Sequence, residues 1–376
     1  MSAKELINPT EDEGIEDEQI TSDDTSDNDN IKPYDPDLII VDYKPFPIFQ
    51  VMRKIKQGQI NLHPEFQRHF VWDQTRQSRL IESVLIRIPL PAFYLDVAST
   101  TKWSVIDGLQ RLSTLDRFCN KNELRLKNLE FLTEQKDKTF EELPLSLQTR
   151  IEDTHLNLYL IDPRTPIDVK FNIFRRINTG GLVLTAQEIR HSLFQGVATK
   201  FLNDLAKSEE FKKATANPAL AKRMNDRECV LRFLAFFLTS YTEYRSPLDG
   251  FLSEAMLAIN KIDEQTLAGL RKTFLEAMRK AADVFDNYAF RKMYAKNGRK
   301  YPFNKSLFEV WSVCLAKHDF EKLHVCKGEI VQEFVNLMNN DNDAEFAKAI
   351  SFGTGSSTSV NKRFSTIENL LKRVVK

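Results

Sequence analysis

Trp103-Ser-Val-Ile-Asp-Gly-Leu-Gln-Arg-Leu-Ser-Thr-Leu-Asp-Arg-Phe118 is the stretch on which the reading of this chain turns. Val105-Ile106 is the kind of apolar run that ends a buried strand, Asp107-Gly108 turns the chain, and Leu112, Leu115 and Phe118 follow at helical spacing. A strand that runs into Asp-Gly and then a helix sets an acid, a pliable backbone and a guanidinium at one helix N-terminus, where anions bind. A strand-turn-helix joint braced by an Arg111 salt bridge is the simpler account of the same residues.

Upstream, Phe93-Tyr-Leu-Asp-Val97 and Trp103-Ser-Val-Ile106 flank a polar turn and read as a hairpin. Asp73 is placed as the N-cap of a helix carrying Leu80, Ile81, Val84 and Leu85, stopped by Pro89 and Pro91. Phe49, Met52 and Ile55 mark a short amphipathic helix, and Ile60-Asn-Leu62 a strand. Downstream, Leu124-Arg-Leu126 is expected as a short strand, residues 143–151 as a helix and Leu156–Ile161 as a strand. Pro166 opens a helix that runs through Phe171, Phe174 and Ile177 and ends at Asn178-Thr-Gly-Gly181.

Thr185, with Glu188 three residues on, is a capping-box start. After it, helical apolar stripes recur in 197–206, 227–241, 248–260, 264–287, 305–316, 327–338 and 363–375. The expected fold class is therefore α+β: a mixed α and β domain over residues 32–190, followed by an all-α helical domain over 191–376. Residues 1–31 are Ser/Thr/Asn-rich and acidic, and are expected to be a disordered tail.

A formal net charge of zero hides a division. Residues 1–30 hold eleven acids against Lys4 alone, so the other 346 carry 52 basic and 42 acidic residues, a surplus of ten that would suit a polyanion. Spread over so long a chain, such a surplus is also ordinary. Cys119, Cys229, Cys314 and Cys326 lie far apart without zinc spacing and read as reduced thiols of a cytoplasmic protein. The apolar tract 229–241 is too short for a membrane span, and no signal peptide precedes the acidic start.

The chain has no GxxxxGK[ST], GxGxxG after a strand, HExxH or GxSxG. Four segments are rich in groups that bind phosphate or read nucleotides: Pro64-Glu-Phe-Gln-Arg68, Asp107-Gly-Leu-Gln-Arg111, Phe174-Arg-Arg-Ile-Asn-Thr-Gly-Gly181 and the basic helix face from Arg223 to Arg232. Guanidinium groups grip phosphate with paired hydrogen bonds, and a glutamine amide can meet a base edge or a water. Each segment alone is better explained by structural ion pairs than by a site. Two Gln-Arg pairs beside an Asn-Thr-Gly-Gly helix end make a site reading compete with that.

Pro64-Glu-Phe-Gln-Arg-His-Phe-Val-Trp72, Ser78-Arg-Leu-Ile-Glu-Ser83, Ile88-Pro-Leu-Pro91, Ile106-Asp-Gly-Leu-Gln-Arg-Leu-Ser-Thr-Leu115 and the run from Ile177 to Glu188 together resemble the N-terminal domain of GmrSD-type modification-dependent restriction endonucleases. The resemblance spans roughly residues 40–200, and Arg227-Glu-Cys-Val-Leu-Arg-Phe233 resembles the helical extension usual there. It implies a ParB/sulfiredoxin-like core, a small mixed sheet with helices, and a role in anti-phage defence through modified DNA and nucleoside triphosphates. The family's DGQQR corresponds to Asp107 through Arg111, with Leu109 in the third place, a departure that bears on hydrolysis more than on binding. Sulfiredoxins carry a reactive cysteine in their comparable turn, whereas Cys119 lies outside it.

On that resemblance the expected function is a nucleotide-binding, possible NTP-hydrolysing sensor or regulatory protein. Asp107 and Gln110 would be catalytic, and Asp107 would hold Mg²⁺. Gln67, Arg68, Gly108, Arg111, Asn178, Gly180 and Gly181 would bind the nucleoside triphosphate. Expected partners are DNA, including modified phage DNA, and a nuclease supplied by another chain, because no histidine-centred metal motif follows residue 200. Self-association into a homo-oligomer is compatible with this, and no membrane is involved. Two alternatives are a metal-dependent DNase using Asp107 and Glu65, and a catalytically silent DNA-binding adaptor.

Overall fold

Ile48, Val51 and Met52 recur at helical spacing on one face of a nine-residue helix, and burying that face sets the first layer of an α+β unit. The computed structural model describes residues 14–16, 39–62, 72–99, 102–177, 184–245, 247–295, 300–339 and 344–376. They form two compact units, Tyr34–Leu184 and Thr185–Lys376 with part of the N-terminal segment.

The first unit is built on a five-stranded mixed sheet. Its strands are β1 (Val41–Pro47), β2 (Ile60–Asn61), β3 (Phe93–Ser99), β4 (Lys102–Asp107) and β5 (His155–Ile161), in spatial order β1-β5-β3-β4-β2. β1–β5 and β3–β4 are antiparallel, whereas β3–β5 and β4–β2 are parallel. The helices are α1 (Ile48–Lys56), α2 (Gln74–Leu85), α3 (Leu109–Leu115), α4 (Leu145–Asp153) and α5 (Ile167–Ile177). Asp73 caps α2 as the sequence predicts, its carboxylate accepting from Arg76 N at 2.7 Å. The core holds Val51 and Ile81, Phe93, Leu95 and Val105 from the sheet, and Leu112, Leu115 and Phe118 from α3 and the turn after it. Deep in α2, Glu82 accepts from the amides of Glu130, Phe131 and Leu132. Burial opposes its charge, but those amides and Arg79 hold the carboxyl below its usual range.

One expectation is corrected, and one strand that the sequence reading lacked is present. Leu124-Arg-Leu126 is not a strand: Leu126 exchanges two backbone hydrogen bonds with Asp137 and Lys138, and the alternation reflects the burial of Leu124 and Leu126. β1 was absent from the sequence reading because Pro45 and Pro47 argue against a strand, and an edge position tolerates them.

The second unit is helical: α6 (Ala186–Leu193), α7 (Val197–Ala206), α8 (Glu209–Thr215), α9 (Asn225–Leu238), α10 (Leu248–Ile259), α11 (Glu264–Phe285), α12 (Lys305–Ala316), α13 (Phe320–Met338), α14 (Ala344–Ala349) and α15 (Ser357–Val374). The α+β class with a helical C-terminal part is borne out. Thr185 and Glu188 form the reciprocal capping box that opens α6. Charged pairs, most of them buried, run through this unit. Arg190 pairs with Asp249, Glu228 with Arg232 and Lys305, and Glu309 with both Arg232 and Arg363. Glu228 is buried. Burial works against its charge, yet Lys305, Arg232 and Arg190 hold its carboxyl far below the usual range. Among the described residues no helix is long and apolar enough to cross a membrane.

Candidate functional site

β4 delivers Asp107 to the end of the sheet through an irregularity. Leu95 faces Val105 and Tyr94 faces Asp107, so Ile106 is an extra residue on β4. A bulge of this kind raises the local twist and re-aims the residue after it. Gly108 then takes φ +96° and ψ 10°, and a Cβ there would sit 2.4 Å from Phe93 Cδ1. Glycine alone meets both demands. α3 starts at once, with Gly108 O accepting from Leu112 N at 2.9 Å, and runs into a π-helical turn at Asp116–Asn120.

Arg111 folds back over this turn. Its Nη2 donates to Asp107 Oδ2 at 2.8 Å and to Ala92 O at 3.1 Å, Nη1 donates to Pro91 O, and the guanidinium lies 4.3 Å from the Phe93 ring centre. Burial lowers its pKa, and Asp107 works against that. The group remains a cation. One guanidinium therefore ties three stretches of backbone together: the end of β4, the start of β3 and the Pro91-Ala92 lead-in. The ion-pair reading of Arg111 is what the geometry contains.

Gln110 lies on the first turn of α3, and its Oε1 accepts from Trp72 N at a long 3.4 Å. Trp72 O accepts from Gln77 Nε2 at 2.7 Å, and Gln77 Oε1 accepts from Arg117 Nη1 at 2.9 Å. Gln110 and Gln77 thus hold both polar groups of the Trp72 backbone. β2 runs parallel to β4, so Leu62 leaves the sheet toward the end that carries Asp107.

Asp107, Gly108, Gln110 and Arg111 are brought together. Gln67, Arg68, Asn178, Gly180 and Gly181, with Glu65 of the alternative metal site, lie outside the described residues. The sequence reading missed Gln77 and the Lys170–Asp96 pair. Lys170 Nζ on α5 donates to Asp96 Oδ1 on β3 at 2.7 Å, both side chains being nearly buried. It fixes the helix that ends one residue before Asn178. Nothing in the sequence links residues 74 positions apart.

Among the described residues no group of three or more His, Cys, Asp or Glu side chains converges as a metal site. Asp107 offers one half-exposed carboxylate, with Oδ2 bound to Arg111. That fits Mg²⁺ of the kind held by one or two carboxylates and completed by substrate phosphates and water. A cleft of about 410 Å³, lined in part by Lys56, Asn61, Leu62, Asp116, Asn120 and Lys121, opens at the other end of α3 and is not lined by Asp107. Cys119 does not line that cleft; burial, then Glu152 and Asp116, push its thiol up to about 12, which disfavours the thiolate.

Residues 48–195 match the family model described as GmrSD restriction endonuclease, N-terminal domain. No curated protein matches the chain.

Proposed function

Since residues 48–195 are a GmrSD restriction endonuclease N-terminal domain, we propose that this chain is the nucleotide-binding sensor or regulatory component of a restriction-type DNA defence system. The observation that carries the proposal is the joining of Gln110 to Trp72, the residue closing the segment that contains the second Gln-Arg pair. Trp72 lies four residues after Arg68 in the sequence, which is what couples the second pair to Gln110 in this reading. In this reading Arg68 and Gln110 contact phosphate or base, Asp107 receives Mg²⁺ or orients a water, and Asn178, Gly180 and Gly181 meet the ribose or phosphates.

Arg111 acts in this scheme as a positioning residue. Its donors are committed to Pro91 O, Ala92 O and Asp107, and a guanidinium so engaged shapes the turn more than it grips a phosphate. Mg²⁺, when bound with a nucleoside triphosphate, would supply charge neutralisation of the phosphates. Leu109, where the family motif has glutamine, makes binding rather than turnover the core of the proposal. DNA is the macromolecular partner in this reading, and a separate nuclease supplies cleavage.

Calorimetric titration of each nucleoside triphosphate with Mg²⁺ tests it. Wild type is expected to bind at least one, and Arg68→Ala and Gln110→Ala to lose most of that affinity. Silence from wild type, or equal binding by all three proteins, would sink the proposal. The metal-dependent DNase alternative fails if modified and plain DNA both stay intact with Mg²⁺ or Mn²⁺.

A further inference from the structure

Among the described residues, Gly14–Glu16 of the acidic N-terminal segment are seated on the helical unit. Ile15 pairs in parallel with Phe303, with Glu16 N donating to Phe303 O at 2.8 Å and Phe303 N donating to Gly14 O at 3.0 Å. Phe303 also bridges antiparallel to Arg291, so it is the middle of three short extended segments. Asn217 Nδ2 donates to Gly14 O at 3.3 Å. The Glu16 carboxylate is gripped at both oxygens, by Lys292 Nζ at 2.5 Å and Asn304 Nδ2 at 3.0 Å.

We propose that this is a peptide-binding slot on the helical unit, specific for an extended acidic peptide with glutamate at the position gripped by Lys292 and Asn304, and occupied here in cis by Ile15-Glu16. Three observations support exchange over a permanent fold contact.

The slot is built without the arm. Lys292 Nζ also donates to Ser351 Oγ at 2.7 Å, Asn304 Nδ2 donates to Ile350 O at 2.8 Å, and Asn304 Oδ1 caps α12 through Leu307 N at 2.7 Å. Both groups that read the acid are therefore held in place by the helical unit itself. Asn304 is buried, and Tyr294 and Tyr301, 5.0 Å apart, lie beside the site.

The contact is small. Two main-chain hydrogen bonds and one gripped carboxylate give a weak association between separate molecules, and covalent tethering at roughly millimolar effective concentration keeps it closed.

The charges are complementary. Ile15 is the single large apolar residue in Glu11-Asp-Glu-Gly-Ile-Glu-Asp-Glu18. The stretch from Arg291 to Lys300 carries five basic residues, and 185–376 hold seven more basic than acidic residues. Main-chain pairing fixes the peptide's direction, and Lys292 with Asn304 fixes the position of its acid.

The test uses the full-length chain and a fluorescent peptide of residues 8–22. Wild type is expected to bind it at least about tenfold more weakly than the Ile15→Asp/Glu16→Lys chain, whose own arm is disabled. Adding Lys292→Gln should remove the binding, and a scrambled peptide of identical composition should bind about tenfold less. No binding by the opened chain, or equal binding of the scrambled peptide, overturns the proposal. A measurement on wild type alone guards against misfolded variants. Excess free peptide should speed hydrogen exchange at the Glu16 amide of the arm, and an unchanged rate at saturating peptide would also overturn it.

Discussion

Arg111 Nη2 lies 2.8 Å from Asp107 Oδ2 across one turn of helix, while the rest of the guanidinium is spent on two main-chain carbonyls and the face of Phe93. A lysine ammonium cannot reach all of these in fixed geometry. Arg111→Lys is expected to cost about 2 kcal/mol in denaturant unfolding, and Asp107→Asn, which spares the carbonyl bonds, about 1 kcal/mol. Equal effects would mean that the ion pair alone matters.

Gly108→Ala should be worse tolerated than its size suggests. Its φ of +96° disfavours any side chain, and the added Cβ would meet Phe93 Cδ1 at 2.4 Å. A loss of about 2–3 kcal/mol is expected from strain and overpacking together. Phe93→Leu should relieve part of it in a double-mutant cycle.

Glu228 predicts acid sensitivity of the helical unit. Its folded pKa lies far below the unfolded value, so its contribution is present above the ordinary carboxylate range and is lost as pH falls through and below it. Glu228→Gln leaves Arg232 and Lys305 buried with less counter-charge and should cost about 3 kcal/mol at neutral pH. Chemical denaturation at pH 7 and pH 4 should show the wild-type advantage narrowing.

His191 adds a second window. Burial, then the charge of Arg227, lowers its pKa to about 4 from 6.5. The unfolded chain binds the proton first, so this contribution is full above pH 6.5 and shrinks as pH falls toward 4. The whole interval is worth about 3 kcal/mol at most. His191→Phe should flatten the stability profile between those limits, and an unchanged slope would exclude the residue as its source.

What the sequence made legible was local. The Asp73 cap, the Thr185–Glu188 box, the hairpin before Asp107 and the long amphipathic helices each follow from residues within a few positions of one another. What stayed hidden depends on distant partners or on competing local rules. Pro45 and Pro47 masked β1. Leu124 and Leu126 alternate because both are buried, and the partners of Leu126, Asp137 and Lys138, are not in a strand. Lys170–Asp96 and Gln110–Trp72 join groups that no short motif connects, and Glu16 looked like one more acid in an acidic run. At the site, the Asp107–Arg111 grouping was legible. The commitment of Arg111 to Pro91 and Ala92 was not, because main-chain acceptors leave no mark in a sequence.

The edges of the sheet carry a consequence for how copies of this chain can meet. One edge is β1, in which Pro45 and Pro47 present no N–H, and the other is β2, only two residues long. Neither offers the long row of open backbone groups on which strand-by-strand polymerisation feeds. Among the described strands the α+β unit thus has no long open edge on which sheets of neighbouring copies could fuse, which leaves side-chain surfaces for ordered assembly.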